Sequence, residues 1–469
     1  MATTTFCLQQ MEVLQMAQIR ISEAKSWVSN NSVRLHGFGS LSLDQTSNSV
    51  PLRDCAKLYE ESESRLSHMM SEESSYTKED ALTWVSAVMT NHRACLDGLQ
   101  EKGYVEADHV LDRNLTMLLG EALVLYSKSK GKGPAEGTIS KSSGGLLESW
   151  STESYKADLT VAQDGSGTHK TIQEAVNGLA AMGHNRPARA VIHVKSGVYN
   201  EKVQIGLNNV MFVGDGIDKT IITGNRNVAQ GSSTLSSATF DVSGDGFWAR
   251  DMTIENTAGP EKHQAVALKV SSDLSVFYRC SIKGYQDTLY VLSNRQFYRD
   301  CYIYGTVDFI FGDAIVVLQN CDIFVRKPMS HQSNFITAQG RDDPNKPTGI
   351  SIQNSRVRPT SEFVSFKNSY NTFLGRPWKK YSRTVYLKTD LDGLIHPKGW
   401  SEWDGNFALS TLYYGEYMNT GSGASTQNRV NWPGFHVLSA SEASPFTVNQ
   451  FLQGESWIQA TGVPFWAGI

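Results

Sequence analysis

The sequence predicts two folds in tandem: an all-α four-helix bundle, then an all-β solenoid of short stacked strands. Three observations carry this expectation. Apolar residues recur at spacings of three and four up to about residue 130, the composition then shifts to Gly, Ser and Lys, and the remainder reads as short strands with an internal repeat near 20 residues. The expected boundaries are 1–130 for the helical domain, 131–157 for a linker and 158–469 for the β domain.

Four segments make the helical case: MEVLQMAQIRISEAKSWV, LRDCAKLYEESESRLSHMM, KEDALTWVSAVMTNHRACLDGL and RNLTMLLGEALVLYSKS. Each is amphipathic, which suits an antiparallel bundle. SYTKED before the third places a hydroxyl at the N-cap and acids in the first turn. The carboxylates of this region are scattered on polar faces, and no catalytic constellation stands out; binding, folding or inhibition is the expected role. GKGPAEGTISKSSGGLLESWSTESYKA is a linker by composition.

Beyond it come DLTVAQDG, RAVIHVKSGVY, NVMFVGDG, TIITGN and ATFDVSGDGFWARDMTIENTA, runs of strand length broken by Gly, Asp and Asn. THKTIQEAVNGLAAM is the one helical pattern among them, placed to cap an end of the solenoid and protect its edge. The C-terminal stretch SPFTVNQFLQGESWIQATGVPFWAGI mixes a short helix with aromatic residues suited to docking on the side of the solenoid.

The repeat is clearest from Gln264 to Cys321. FYRCSIKGYQD at Phe277 aligns with FYRDCYIYGTVD at Phe297 when Asp300 is taken as an insertion. Cys280 and Cys301, Gly284 and Gly305, and Asp287 and Asp308 are then each 21 residues apart, and Cys321 follows 20 residues later. A period this short leaves no room for a helix, so each repeat is one coil and equivalent residues stack at the parallel-strand spacing. Gln264, Gln286 and Asp308 step by 22, which would line three polar groups on neighbouring rungs with Asp287 beside them.

With 40% apolar residues in 469, the chain can bury large cores. A net charge of −4 argues against nucleic acid or an anionic membrane as main partner. No apolar run is long enough to span a bilayer, and MATTTFCLQQ lacks the apolar core of a signal peptide. Six cysteines are too few for a disulfide-built fold. Cys280, Cys301 and Cys321 fall in one column, which permits one bridge; Cys301 with Cys321 is the expected pair in an oxidising compartment, against the plainer reading as small buried residues. Cys55 and Cys95 are able to bridge two predicted helices, and Cys7 has no evident mate.

Two carboxylates on adjacent rungs with glutamines beside them suit acyl transfer. Within about 5 Å their ionisations couple, one staying charged while the other holds a proton. One then attacks while the other donates a proton, and glutamine amides bond an oxyanion. Arg376 is placed to grip a charged Asp as a fork, and Trp378 offers a flat face to a sugar. Taken singly, an Asp after Gly simply makes a turn.

Here the chain resembles the plant pectin methylesterases that carry an N-terminal region similar to the pectin methylesterase inhibitors. The motifs are GVYNE from Gly197, QAVAL from Gln264, GYQDTLY from Gly284, GTVDFIFG from Gly305 and LGRPW from Leu374, followed by YYGEY and NWPGF. The similarity runs from about 158 to 469; the helical region matches through DCAKLYEESESRL and the Cys55 and Cys95 positions. The resemblance implies a right-handed parallel β-helix that demethylesterifies pectin, releasing methanol in the plant cell wall after secretion. It implies Asp308 as nucleophile, Asp287 as acid and then base, Gln286 with Gln264 at the oxyanion, and Arg376 orienting Asp308 and touching substrate. Trp378 and Thr234 would bind the sugar chain. It implies no metal or cofactor, a monomer, and a proteinaceous pectin methylesterase inhibitor as a further partner.

Some positions depart from the family pattern. The linker has no paired basic residues for processing, the start lacks the paired early cysteines of the inhibitors, and Asp313 and Leu292 stand where Asn and His are expected. Asn30 and Asn114 open glycosylation sequons. The competing readings are another β-helix polysaccharide hydrolase or lyase, and a catalytically silent wall protein that binds pectin or inhibits an esterase.

Overall fold

The structure, a computed structural model, describes residues 2–36, 49–104, 107–129 and 156–469; the Cys7 side chain and the linker as far as residue 155 lie outside this description. The chain divides into two compact units. One comprises Met1–Ser143 with Gly231–Ser236 and Asp343–Pro347, the other Gly144–Gln230, Ser237–Asp342 and Thr348–Ile469.

In the first unit, α1 (Ala2–His36), α2 (Val50–Met70), α3 (Lys78–Glu101) and α4 (Leu115–Lys128) pack in a ring, α1 and α3 each against both α2 and α4. The sequence signals hold. Thr77 caps α3 in a capping box, its hydroxyl accepting from Asp80 N at 3.1 Å while Asp80 Oδ2 accepts from Thr77 N at 2.9 Å. Ala81, Val85, Val88, Met89, Leu96 and Leu99 form the buried face of α3. Cys55 on α2 and Cys95 on α3 are bridged, with Cα atoms 4.7 Å apart.

The second unit is a parallel β-helix. Its strands form three parallel sheets of 11, 8 and 7 strands, and successive strands of one sheet come from successive coils. Stacking identical side-chain types is what makes the interior. Ile254, Ile282, Ile303, Ile323 and Val357 stand in register, one per coil, and all are buried. Each contributes about 1.5–3 kcal/mol of apolar burial. Helix α5 (Ile172–Ala181) lies on Leu159–Val161, Ala190–Val194 and Val203–Ile205, sealing the core at the first coil. Glu201 of GVYNE accepts from the N–H groups of Ile172 and Gln173, at 3.0 and 3.1 Å, so two orphan donors of that helix are satisfied. The C-terminal segment docks outside: Phe446, Val448, Phe451 and Leu452 pack on Met211, Trp248, Val276, Phe297 and Val317.

Two expectations fail here. The FYR identity is not the structural register: Phe277 pairs with Tyr298, and Phe297 with Val276. Asp300 is therefore no insertion but the partner position of Arg279, and both adopt left-handed φ of +53° and +50°. A slip of one residue exchanges faces. Phe277 and Tyr298 stack inside at 4.9 Å, whereas Phe297 points outward to the C-terminal segment.

The Cys301–Cys321 bridge does not form; Cys280, Cys301 and Cys321 are buried free thiols. Their column is as expected, since Ser281 pairs with Tyr302 and Tyr302 with Asp322. In-register parallel strands, however, hold side chains parallel at about 4.8 Å, where a disulfide requires Cβ atoms at about 3.8 Å on converging bonds. Each thiol turns to backbone instead, Cys301 Sγ to Phe277 O at 3.3 Å and Cys321 Sγ to Gln319 O at 3.5 Å. Burial pushes both thiols well above their usual pKa, which suppresses the reactive thiolate.

Candidate active site

The site forms where two coils turn into the seven-stranded sheet. Leu268, Leu289 and Ile310 pair in register, and the turns before Leu289 and Ile310 carry Asp287 and Asp308. Asp287 N donates to Val307 O at 3.0 Å, which puts Asp287 level with Asp308. Ala265 N donates to Gln286 O at 3.3 Å, which puts Gln264 level with Gln286. Ala267 N and Leu268 N both reach Thr288 O, so the chain bulges by one residue just before the strand. Two adjacent columns result, one of glutamines and one of aspartates. The 22-residue step from Gln286 to Asp308 is not a ladder step, because Val307 occupies the level of Gln286.

Both aspartates sit at left-handed φ, +61° for Asp287 and +51° for Asp308, a conformation Asp tolerates better than most side chains. The glycines three residues upstream of them allow this turn to close. A Cβ on Gly305 would fall 2.2 Å from Phe309 Cβ, and one on Gly284 2.6 Å from Thr288 Oγ1. The turn-forming reading of these aspartates therefore holds, and it leaves both carboxylates available to the site.

Asp308 is buried and gripped by Arg376, which donates from Nε to Oδ1 at 2.8 Å and from Nη2 to Oδ2 at 2.6 Å. Burial raises its pKa above the usual carboxylate value, and the guanidinium fork pulls part of that shift back. Arg376 is itself held between two rings, its Cζ 4.1 Å from the centroid of Phe335 and 4.4 Å from that of Trp403. Gln264 and Gln286 are half-buried; among the described residues, neither side-chain amide has a protein partner.

Trp378 is half-buried with its ring edge-on to Phe311 and Tyr290, centroids 5.9 and 6.4 Å away, and those two rings stack at 4.2 Å. It lies over Gly340, where a Cβ would come within 2.8 Å of the indole. Five of the expected residues therefore gather by ladder register and by the Arg376 fork, with Trp378 on the flanking aromatic rungs. Thr234 is half-buried in the Gly231–Ser236 segment, which belongs to the other unit.

Sequence reasoning missed Tyr290, Phe311, Phe335 and Trp403. The first two repeat at the 21-residue step that placed the aspartates, and were findable by it. Phe335 and Trp403 reach Arg376 only through the fold and leave no local signal. Asp313 and Leu292, the departures noted above, are neighbours: Asp313 N donates to Leu292 O at 3.1 Å, and the buried Asp313 carboxylate accepts from Gln339 Nε2 at 3.1 Å. Among the described residues no group of three His, Cys, Asp or Glu is placed to hold a metal ion, and no helix is long and apolar enough to cross a membrane.

Residues 158–455 match the pectinesterase family model and 5–125 that of the plant invertase/pectin methylesterase inhibitors. The chain is 54% identical to probable pectinesterase/pectinesterase inhibitor 36 of Arabidopsis thaliana, over 98% of this chain and 94% of that one. It is 53% identical to pectinesterase 2 of Citrus sinensis, over 89% and 81% of the two chains. Among solved structures, carrot pectin methylesterase superposes with a TM-score of 0.66 at 54% identity, covering 68% of this chain and all of that one. The Aspergillus niger enzyme does so with 0.57 at 34%, covering 66% and 97%. The chain belongs to the pectinesterase family, a carboxylic ester hydrolase acting on pectin with an N-terminal region of the inhibitor family.

Proposed function

We propose that this enzyme demethylesterifies pectin through an Asp308 nucleophile. The observation that carries the reading is the bidentate Arg376–Asp308 pair with Asp287 on the neighbouring coil. The fork aims one carboxylate and favours its anion in a buried site, which is what a nucleophile requires. A carboxylate oxygen of Asp308 attacks the methyl-ester carbonyl of a galacturonate unit. The carbonyl oxygen becomes an oxyanion, bonded by the amide N–H groups of Gln286 and Gln264. As the intermediate collapses, the bond to the methoxy oxygen breaks and Asp287 protonates it, releasing methanol and leaving an acyl-enzyme on Asp308. Asp287, now ionised, takes a proton from water, whose oxygen attacks the acyl carbon and frees the galacturonate carboxylate and Asp308.

Trp378 supplies a sugar platform, Arg376 a second contact to substrate and Thr234 a polar one. Residues 1–130 act as an inhibitor-like domain, 131–157 as linker and 158–469 as the catalytic domain, with a proteinaceous inhibitor as a further partner. The wall of the plant cell is the proposed place of action, reached by secretion. The exposed Asn30 and Asn114 support glycosylation on that route.

The test is methanol release from highly methyl-esterified pectin by Asp308→Asn. The variant keeps the volume and shape of the buried side chain, so the fold is expected to stay while turnover falls by at least about 10³-fold. Retention of substantial turnover would sink the nucleophile assignment.

A further inference from the structure

Arg326 follows the strand Asp322–Val325, and its main-chain N–H donates to Gly305 O at 2.8 Å. Its side chain crosses back over that coil to the turn of Gln286 and Asp287. Nη1 donates to Gly284 O at 3.1 Å and Nη2 to the Tyr285 hydroxyl at 2.7 Å, while Cζ lies 3.8 Å from the Tyr285 ring centroid. Only Nε faces outward, to Glu362 at 3.3 Å. Glu362 is 55% exposed, so that ion pair contributes little to stability. The inward contacts hold a strained turn, since Asp287 is a non-glycine residue at φ +61°. The Arg326 carbonyl accepts from the buried Asn334 Nδ2 at 3.3 Å, and the next residue, Phe335, supplies one of the rings against Arg376. One residue thus touches the supports of both aspartates.

We propose that Arg326 is a positioning residue for the esterase reaction, fastening the Gly284–Asp287 turn so that Gln286 and Asp287 meet the ester held at Asp308. This rests on the mechanism proposed above. A turn free to shift by about 1 Å would cost of the order of 100-fold in rate without weakening binding of the polymer.

The experiment measures kcat and KM for methanol release by the full chain. For Arg326→Ala, kcat is expected to fall about 10- to 100-fold, with KM within about twofold and the thermal midpoint little changed. Arg326→Lys should not restore kcat, because one ammonium cannot make the forked contacts and stack on the ring. Added guanidinium ion should raise the rate of Arg326→Ala and not that of the wild type, an effect a loss of general stability would not show. Arg356→Ala, which removes a 53% exposed arginine paired with Asp322 on the outer surface, should keep wild-type kcat.

Wild-type kcat in Arg326→Ala, a change in KM alone, or an equal loss in Arg356→Ala would each overturn the proposal. If Arg326→Ala does not fold, Tyr285→Phe deletes only the hydroxyl acceptor, and an unchanged kcat there overturns it equally. Turnover by Asp308→Asn would sink the mechanism whatever Arg326 does; an inactive Asp308→Asn beside a wild-type Arg326→Ala sinks this proposal alone.

Discussion

Replacing Arg376 by Lys isolates the guanidinium fork from its charge. In the wild type two charge-assisted bonds, 2.8 and 2.6 Å, meet a carboxylate whose side chain is 8% exposed. An ammonium keeps the positive charge but not the second parallel bond, nor the planar face that sits between Phe335 and Trp403. One such bond is worth about 1.5–3 kcal/mol, so kcat/KM should drop about 10- to 150-fold. The pH profile carries the sign. Burial raises the Asp308 pKa and Arg376 lowers it, so weakening the fork raises it further. With Asp308 as the proposed nucleophile, which must be ionised to attack, the acid limb of kcat/KM is expected above the ordinary carboxylate value in the wild type and at still higher pH in the variant. Stability follows the opposite direction. A folded-state pKa raised at Asp308 favours the folded state below the ordinary carboxylate pKa, a contribution lost as pH rises through the raised value. Initial rates of methanol release from pH 4 to 9, with thermal midpoints at each pH, decide the matter. Wild-type kcat/KM with an unmoved acid limb would refute the reasoning.

Gly305→Ala forces a Cβ to within 2.2 Å of Phe309 Cβ, an atom that no rotamer change can move, so about 1–3 kcal/mol of stability should be lost in denaturant titration, with turnover falling because Asp308 shares the turn; an unaltered midpoint would contradict the packing. Removing the Cys55–Cys95 bridge, which spans 40 residues, should cost the helical unit about 4 kcal/mol by loop entropy, seen as a lower unfolding midpoint of that unit alone. Non-reducing peptide mapping should find that bridge and leave Cys280, Cys301 and Cys321 as thiols; a linked Cys301–Cys321 peptide would overturn the argument from strand spacing.

How much of this was legible differs from residue to residue. The helices were read from apolar spacing because an amphipathic helix must bury one stripe, and Thr77 and Asp80 announced where α3 begins. Helix α5 was visible as the single 3.6-residue pattern among strands. Asp287 and Asp308 were found together because a coil repeat turns sequence distance into vertical stacking, and the same step would have exposed Tyr290 and Phe311.

The sequence by itself determined the two folds, the coil period, the cysteine column and the pairing of the two aspartates, since each depends on local propensity or a constant step along the chain. Tertiary structure decided the rest. A bulge before Leu268 levels Gln264 with Gln286, the FYR repeat slips by one and reverses which aromatic faces inward, and parallel side-chain vectors keep the thiols apart. The sandwich of Arg376 between Phe335 and Trp403, and the reach of Arg326 back to Tyr285, join residues from different coils through turns of unequal length. Periodicity specifies which rung a residue occupies; how each turn bends, and so which side chains converge, depends on packing that no single repeat contains.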